Sequence, residues 1–152
     1  MIKQNLILEQ TDKKILILRK AEKASMPSKG WIYAIRQALG MSLRQLGNRM
    51  GITPQSVREI EEREKDGTVS LKVLRQFGEA VNIKLIYGFI PEKGKLEDMI
   101  EHRAYEIARE IVSRTSATMQ LEDQENSPGR IKKAVREKAE DLKREMPRFL
   151  WD

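Results

Sequence analysis

The chain of 152 residues contains no cysteine and carries 29 Lys and Arg against 23 Asp and Glu, a net charge of +6. The absence of cysteine excludes disulfides, thiolate zinc sites and a cysteine nucleophile, and we expect no cofactor. No apolar run approaches the roughly 18 residues of a membrane span and charged residues interrupt the N-terminus, so neither a membrane protein nor a signal peptide is expected, and we predict a cytoplasmic bacterial protein.

The apolar pattern predicts helices along almost the whole chain. The first helix is predicted over 5–24, before a break at 25–30 that contains one proline and one glycine. A second helix is predicted over about 31–39 and ends at Gly40.

Three more helices are each preceded by a residue that can cap a helix N-terminus. Pro54 fits the first position of its helix, where a backbone N–H is not needed. The predicted helices are 43–50 after Ser42, 54 to about 65 after Thr53, and 71–81 after Ser70.

The remaining elements comprise one strand and two helices. Residues 84–90, Lys-Leu-Ile-Tyr-Gly-Phe-Ile, have the composition of a strand. Pro91 and Gly94 separate that strand from a long helix over 96–121, which carries a continuous apolar stripe. After a short interruption, a last helix is predicted over about 130–145.

Residues 42–61 have the pattern of two short helices joined by a tight turn. Gly47 lies where the two helices come closest, so a small residue is needed there, although glycine costs ~1 kcal/mol relative to alanine within a helix. Six apolar side chains can close a small shared core: Leu43, Leu46, Met50, Ile52, Val57 and Ile60.

This spacing resembles the repressor-type helix-turn-helix of the Xre and lambda-repressor family over about residues 31–83. The resemblance implies a mainly all-α, repressor-like bundle, here with one short strand and a C-terminal helical extension. It also implies that the helix at 54–64 enters the major groove of double-stranded DNA. Residues 1–94 hold 17 basic and 10 acidic residues and residues 95–152 hold 12 and 13, balances of +7 and −1. A polyanion would meet the first part, although an ordinary solvated surface explains the charge equally well.

The side-chain chemistry of the motif then predicts its DNA contacts. Four residues can face base edges, where Gln pairs with adenine and Arg with guanine: Thr53, Gln55, Ser56 and Arg58. Three residues of the preceding helix suit phosphate contacts: Arg44, Gln45 and Arg49. Three acidic residues would be repelled by phosphate, so that end of the helix should point out of the groove: Glu61, Glu62 and Glu64.

Three parts are predicted along the chain: an N-terminal helix or arm at 1–28, a helix-turn-helix domain ending in a strand at 29–91, and a helical region for dimerisation or partner binding at 92–152. A homodimer would read two half-sites about one helical turn apart. The strand could pair with its symmetry mate, or the long helix could pack across the axis. Alternatively, the strand pairs within one chain or covers its own core.

Nearly the full length looks like mobile mystery protein A, a small family of such regulators. The stretches that carry this resemblance are 27–36, 67–71, 119–124 and 150–152. The resemblance implies a gene partner with a Fic domain, mobile mystery protein B, and Fic domains transfer AMP from ATP to protein hydroxyls. The pair would then form a toxin–antitoxin module or a related regulatory pair.

Fic antitoxins use an inhibitory helix in which Ser or Thr precedes Glu by four residues, and Thr118 and Glu122 have that spacing. In such proteins the Glu pairs with the arginine that should hold the ATP γ-phosphate. Asp123 stands here where the pattern has Gly or Asn, and a solvated helix end is the simpler interpretation.

The expected function is sequence-specific regulation of transcription by an autorepressor or antitoxin that binds its own promoter at the nucleoid. The alternative is a protein-binding antitoxin that inhibits the Fic partner through its C-terminal helix, with DNA binding secondary. An enzyme is not expected. His102, the only histidine, lies between Glu101 and Arg103 on a predicted exposed helix face. No catalytic or metal-binding residue is therefore predicted.

Overall fold

The computed structural model describes residues 2–121 and 127–152. Seven α-helices and one 3₁₀ helix lie in these ranges, which confirms the mainly all-α fold. In chain order they are α1 Ile2–Arg19, α2 Trp31–Ala38, α3 Leu43–Met50, α4 Pro54–Asp66, α5 Leu71–Val81, α6 Leu96–Leu121, α7 Pro128–Glu145 and the 3₁₀ helix Arg148–Trp151. None of these helices is long and apolar enough to cross a membrane.

The strand predicted at 84–90 does not form within the described residues of one chain, where these residues adopt no regular secondary structure. Their composition favours extended backbone, but a strand exists only where its backbone groups have a partner. The main-chain groups of 84–90 form no hydrogen bond with any residue in the described ranges.

Several helix ends also differ from the prediction. α1 starts at Ile2 instead of residue 5 and ends at Arg19 instead of residue 24, and residues 20–24 are all exposed. α7 starts at Pro128 instead of about 130, because the hydroxyl of Ser127 accepts a hydrogen bond from the Arg130 N–H and caps the helix.

The chain divides into two compact units, one made of the described residues within 1–21 and 89–152 and the other of residues 22–88. The unit at 22–88 contains α2 to α5, and its core is formed by five buried side chains: Ile32, Leu46, Val57, Ile60 and Phe77. This core holds α3 and α4, the two helices of the sequence motif.

The other unit is built on the long antiparallel contact of α6 and α7. Its core consists of Ala104, Ile107, Ala108, Val135, Leu142 and Leu150. Asp12 of α1 attaches that helix to the start of α6, because its carboxylate accepts hydrogen bonds from the Leu96 and Glu97 N–H groups at 2.8 and 3.2 Å. Arg19 donates to the carbonyls of Pro91 and Gly94 at 2.8 and 2.6 Å.

Candidate nucleic-acid interface

Local hydrogen bonds fix the starts of α3 and α4. The Ser42 hydroxyl accepts from the Gln45 N–H at 3.1 Å, and the Gln45 side-chain carbonyl accepts from the Ser42 N–H at 2.8 Å, which makes a capping box. Thr53 caps α4 by accepting from the Ser56 N–H at 3.0 Å. The two helices therefore begin where the sequence predicts.

The turn between these helices requires glycine at position 47. A Cβ atom on Gly47 would lie 2.7 Å from the carbonyl oxygen of Ile52, a distance that real Cβ atoms essentially never show. A small residue is therefore needed at position 47, as predicted, although its nearest neighbour is the carbonyl of Ile52 in the turn and not the helix α4 itself. Gly51 then reverses the chain in the left-handed conformation, with φ of 69°.

One face of α4 packs against the hydrophobic core and the opposite face is exposed to solvent. Val57 and Ile60 are buried, and Glu61 follows on the same side at helical spacing. Gln55 and Arg58 project from the other side and are exposed. The helix therefore presents a polar face that packing within its unit leaves open.

The four predicted base-contacting residues fall into two groups. The side chains of Gln55 and Arg58 form no hydrogen bond or ion pair with the described part of the chain, so their full donor and acceptor capacity remains available. Thr53 and Ser56 are engaged with each other, because the Thr53 hydroxyl donates to the Ser56 hydroxyl at 2.9 Å. These two residues therefore hold the helix start in place and keep only part of their hydrogen-bonding capacity.

The three predicted phosphate-contacting residues all have exposed side chains on α3. Arg44 has no polar partner among the described residues. Gln45 uses its carbonyl oxygen in the capping box, which leaves its amide N–H groups as donors. Arg49 donates a long hydrogen bond, 3.5 Å, to the carbonyl of Ala80.

The structure brings only some of these residues together. Arg49 and Ser56 line one open recess beside α4, and Glu59 lies in the same recess. Arg44 and Gln45 do not line it. Glu59 and Glu79 balance Arg49 and Arg63 among the residues that line this recess, so its charged side chains add no net positive charge.

The acidic end of α4 has a structural role that differs from the predicted repulsion by phosphate. Glu61 and Arg36 of α2 are both 7% exposed and form a two-point ion pair, with the second hydrogen bond, from the Arg36 Nη2 to the Glu61 Oε2, at 3.2 Å. Arg36 also donates to the carbonyl of Met41 at 3.0 Å. Phosphate repulsion is therefore not the reason that Glu61 faces away from the exposed side of α4.

Glu64 serves the start of α2. Its carboxylate accepts the N–H groups of Trp31 and Ile32 at 2.9 and 2.8 Å, which are donors that a helix cannot satisfy by itself. Gly30 precedes α2 and offers no side-chain cap. The spacing of Glu61 and Glu64 from Val57 and Ile60 is the signal in the sequence that could have assigned both carboxylates to the inner face.

The residues proposed for other functions lie outside this unit. Thr118 is exposed on α6 and donates its hydroxyl to the carbonyl of Arg114 at 3.0 Å, while Glu122 lies outside the described residues. His102 pairs with Glu106 one helical turn away at 3.2 Å, with 78% of its side chain exposed. The described residues contain no group of three or more His, Asp or Glu side chains that could hold a metal ion.

A family model described as helix-turn-helix matches residues 32–87, which include nearly all of α2 and the whole of α3 to α5. These residues therefore form a helix-turn-helix domain, and such domains are generally non-enzymatic and bind DNA. The match does not include α1, α6 or α7. No curated protein and no solved structure gives a significant match to the chain.

Proposed function

We propose that this protein is a sequence-specific transcriptional regulator that inserts the N-terminal half of α4 into the major groove of double-stranded DNA. The observation that carries the proposal is the exposed pair Gln55 and Arg58, which face solvent from a helix whose opposite face is fixed by Val57 and Ile60. The helix-turn-helix match over the same residues supports it.

Within this proposal, each side chain has a role set by its chemistry. Arg58 would form two hydrogen bonds to guanine and Gln55 two to adenine. Thr53 and Ser56 would add shorter contacts from the helix start. Arg44, Gln45 and Arg49 would hold the phosphate backbone and fix the orientation of α4 without reading the sequence.

The test compares the effect on DNA affinity of removing a predicted base contact with the effect of removing a predicted phosphate contact. The operator is first located by footprinting the DNA upstream of the protein's own gene. Arg58→Ala should weaken binding to that operator by about 1–3 kcal/mol, roughly 5- to 150-fold, and relax the preference at one base pair. Arg44→Gln should weaken binding to all sequences and reduce the log–log salt slope by about 0.9.

A matched control removes one positive charge elsewhere. Arg136 is exposed on α7, outside the helix-turn-helix domain, and Arg136→Gln should leave affinity and salt slope nearly unchanged. Equal effects of Arg58→Ala on operator and random DNA would contradict base reading by α4. Equal salt slopes for Arg44→Gln and Arg136→Gln would contradict the phosphate role of α3.

We further propose that the protein is a homodimeric autorepressor in a two-gene module, bound to the nucleoid at its own promoter and without enzymatic activity. A dimer would place two copies of α4 one helical turn of DNA apart, about 34 Å. The resemblance of 27–36 and 67–71 to mobile mystery protein A supports a Fic-domain partner. A reporter under this promoter should be silenced by the protein and released by Arg58→Ala.

Protein inhibition of the Fic partner is the alternative, and its support is the spacing of Thr118 and Glu122. Coexpression with the neighbouring gene product tests it directly. Glu122→Gly should release AMP transfer by the partner, and Glu125→Gly is the control for a lost charge nearby. Unchanged suppression in Glu122→Gly would remove this role and leave DNA binding unaffected.

A further inference from the structure

Residues 84–90 form a largely exposed, apolar stretch whose backbone groups have no partner in the part of the chain that the structure describes. Its side chains Ile86, Tyr87 and Phe89 are 72%, 58% and 86% exposed. Its main-chain N–H and carbonyl groups make no hydrogen bond to residues 2–121 or 127–152. Branched and aromatic residues with free backbone groups are the features of a strand edge that pairs with another chain.

One contact anchors this segment without covering it. The Tyr87 hydroxyl accepts a hydrogen bond from Arg75 of α5 at 3.5 Å, and the Arg75 guanidinium lies 5.7 Å from the centre of the Tyr87 ring. Tyr87 nevertheless remains more than half exposed. The chain thus holds the segment at the surface and supplies no strand for it within the described residues.

We infer that residues 84–90 pair antiparallel with the same residues of a second copy, with the two-fold axis at Gly88. This inference rests on the homodimer in the proposed function. About this axis, Tyr87 lies opposite Phe89 of the second copy, and Ile86 lies opposite Ile90. Each pair occurs twice, because an isologous interface uses every contact in both directions. Aromatic and branched cross-strand pairs are the ones that stabilise sheets.

Charge and backbone chemistry at the ends favour the same register. Lys84 lies opposite Glu92 of the second copy, so opposite charges meet on both sides of the axis. Pro91 has no N–H, and its carbonyl already accepts from Arg19. Pro91 therefore fits a position that makes no hydrogen bond to the facing strand. Hydrogen-bonded and non-hydrogen-bonded positions alternate along an antiparallel pair of strands. Tyr87 and Phe89 therefore occupy non-hydrogen-bonded positions like Pro91, and Gly88 occupies a hydrogen-bonded position.

A second copy is the occupant that this self-complementarity selects. With the two-fold axis at Gly88, aromatic residues lie opposite aromatic residues, branched residues lie opposite branched residues, and a basic residue lies opposite an acidic one. Moving the axis to Tyr87 would instead place Lys84 opposite Ile90 and Ile86 opposite Gly88. The strand-like composition of 84–90 is then consistent with the lack of a strand in the described ranges, because the hydrogen-bonding partner belongs to another copy.

Disulfide trapping tests the register, because the chain has no cysteine of its own. Tyr87→Cys and Phe89→Cys proteins are prepared separately, mixed in equal amounts and oxidised. Directly opposed residues lie about 4.5–5.5 Å apart, within disulfide range. The mixture should form a mixed disulfide dimer about tenfold faster than either protein alone. Leu85→Cys mixed with Phe89→Cys is the matched control, and it should remain slow.

Charge exchange provides a test without oxidation. Lys84→Glu and Glu92→Lys should each weaken dimerisation, measured by sedimentation equilibrium, because each places like charges opposite each other twice. Mixing the two proteins restores both attractions, and the heterodimer should be more stable than either homodimer. Both residues are exposed, so the fold should survive these substitutions.

The outcomes separate this inference from the proposed function. Faster trapping in the control mixture, a dimer insensitive to both charge changes, or a monomeric wild type overturns the strand pairing. A dimer insensitive to the charge changes would direct attention to the exposed apolar side chains of α1, such as Leu6 and Ile17. Footprinting is run on the same proteins. If the Tyr87→Cys and Phe89→Cys mixture is trapped fastest but no footprint is found, the strand pairing holds and DNA binding is overturned. If a footprint is found but the control mixture is trapped faster, DNA binding holds and the strand pairing is overturned.

Discussion

At position 47 the backbones of α3 and the following turn come so close that a methyl group has no room. Gly47→Ala gains the helix preference of alanine, up to ~1 kcal/mol. It also brings a Cβ to 2.7 Å from the Ile52 carbonyl oxygen, where backbone must move. Because overpacking typically costs about 1–3 kcal/mol, we expect a net loss of stability in chemical denaturation.

The neighbouring residue supplies the control for this substitution. Asn48 is exposed on the same helix, so Asn48→Ala should change the unfolding free energy by no more than ~0.5 kcal/mol or raise it slightly. A Gly47→Ala protein as stable as Asn48→Ala would show that the α3–α4 turn can relax. In that case close approach is not the reason for glycine.

A second prediction at this scale concerns the carboxyl group of Glu97 at the start of α6. The Lys95 ammonium, 2.9 Å away, lowers the pKa of Glu97 below its ordinary value of 4.5, first through a hydrogen bond and then through charge. Lys143, at 3.5 Å, contributes less to this lowering. We expect Lys95→Ala to raise the Glu97 pKa more than Lys143→Ala does, as measured by carboxyl carbon NMR titration.

The sign of the linked stability follows from the direction of each shift. Because the Glu97 pKa is lowered by folding, its contribution is present above the unfolded pKa and is lost as pH falls through the folded value. The pKa of Lys95 is raised by the same pair, so its contribution is lost only as pH rises above about 10.5. A larger shift of the Glu97 pKa in Lys143→Ala would reverse the assigned order of the two lysines.

At the scale of elements, α2 is joined to α4 by the buried ion pair of Arg36 and Glu61. Glu61→Ala leaves the guanidinium buried without its carboxylate, which should cost about 3–5 kcal/mol of stability. Glu62→Ala on the exposed side of α4 is the control and should stay within ~0.5 kcal/mol. Denaturant unfolding of both proteins measures the difference.

A double substitution distinguishes the cost of burying an unpaired charge from the cost of removing side-chain volume. Arg36→Met combined with Glu61→Leu removes both charges and keeps apolar volume, so most of the lost stability should return. The carbonyl of Met41 loses its donor in that protein, which limits the recovery. Equal stability of Glu61→Ala and Glu62→Ala would show that the pair contributes nothing to the joining of α2 and α4.

Helices whose ends depend on neighbouring residues were predicted from the sequence almost to the residue. Ser42, Thr53 and Ser70 each accept the N–H three residues ahead, so the cap and its helix are encoded together. The start of α7 was missed although Ser127 caps it in the same way. Pro128 lies in the interruption expected before residue 130, whereas proline is as favourable at the first position of this helix as Pro54 is in α4.

Features that depend on distant residues could not be predicted in this way. The partners of Glu61 and Glu64 lie about 25 and 33 positions away, and only the folded chain brings them together. Asp12 caps α6 from 84 positions away. Exposure of Gln55 and Arg58 was expected from the motif, whereas the mutual hydrogen bond of Thr53 and Ser56, which limits their availability, became visible only in the structure.

At the scale of the whole molecule, the two hydrophobic cores share no residue, so a cavity in one should destabilise that unit first. Leu46 and Leu142 are 0% and 2% exposed and lie in different cores. Each Leu→Ala change should cost about 2–5 kcal/mol in its own unit. Hydrogen exchange should then show lost protection in α3 and α4 for Leu46→Ala, and in α6 and α7 for Leu142→Ala.

DNA binding connects this division to function, because the proposed interface lies wholly in the unit at 22–88. Leu46→Ala should therefore lower operator affinity at temperatures where that unit opens, while Leu142→Ala should leave the affinity of each protomer intact. The positive balance of residues 1–94 agrees with DNA contact in that part of the chain. Loss of protection across both units in either variant would mean that the cores unfold together, and the cavity in α6 and α7 would then weaken DNA binding as much as the one beneath α4.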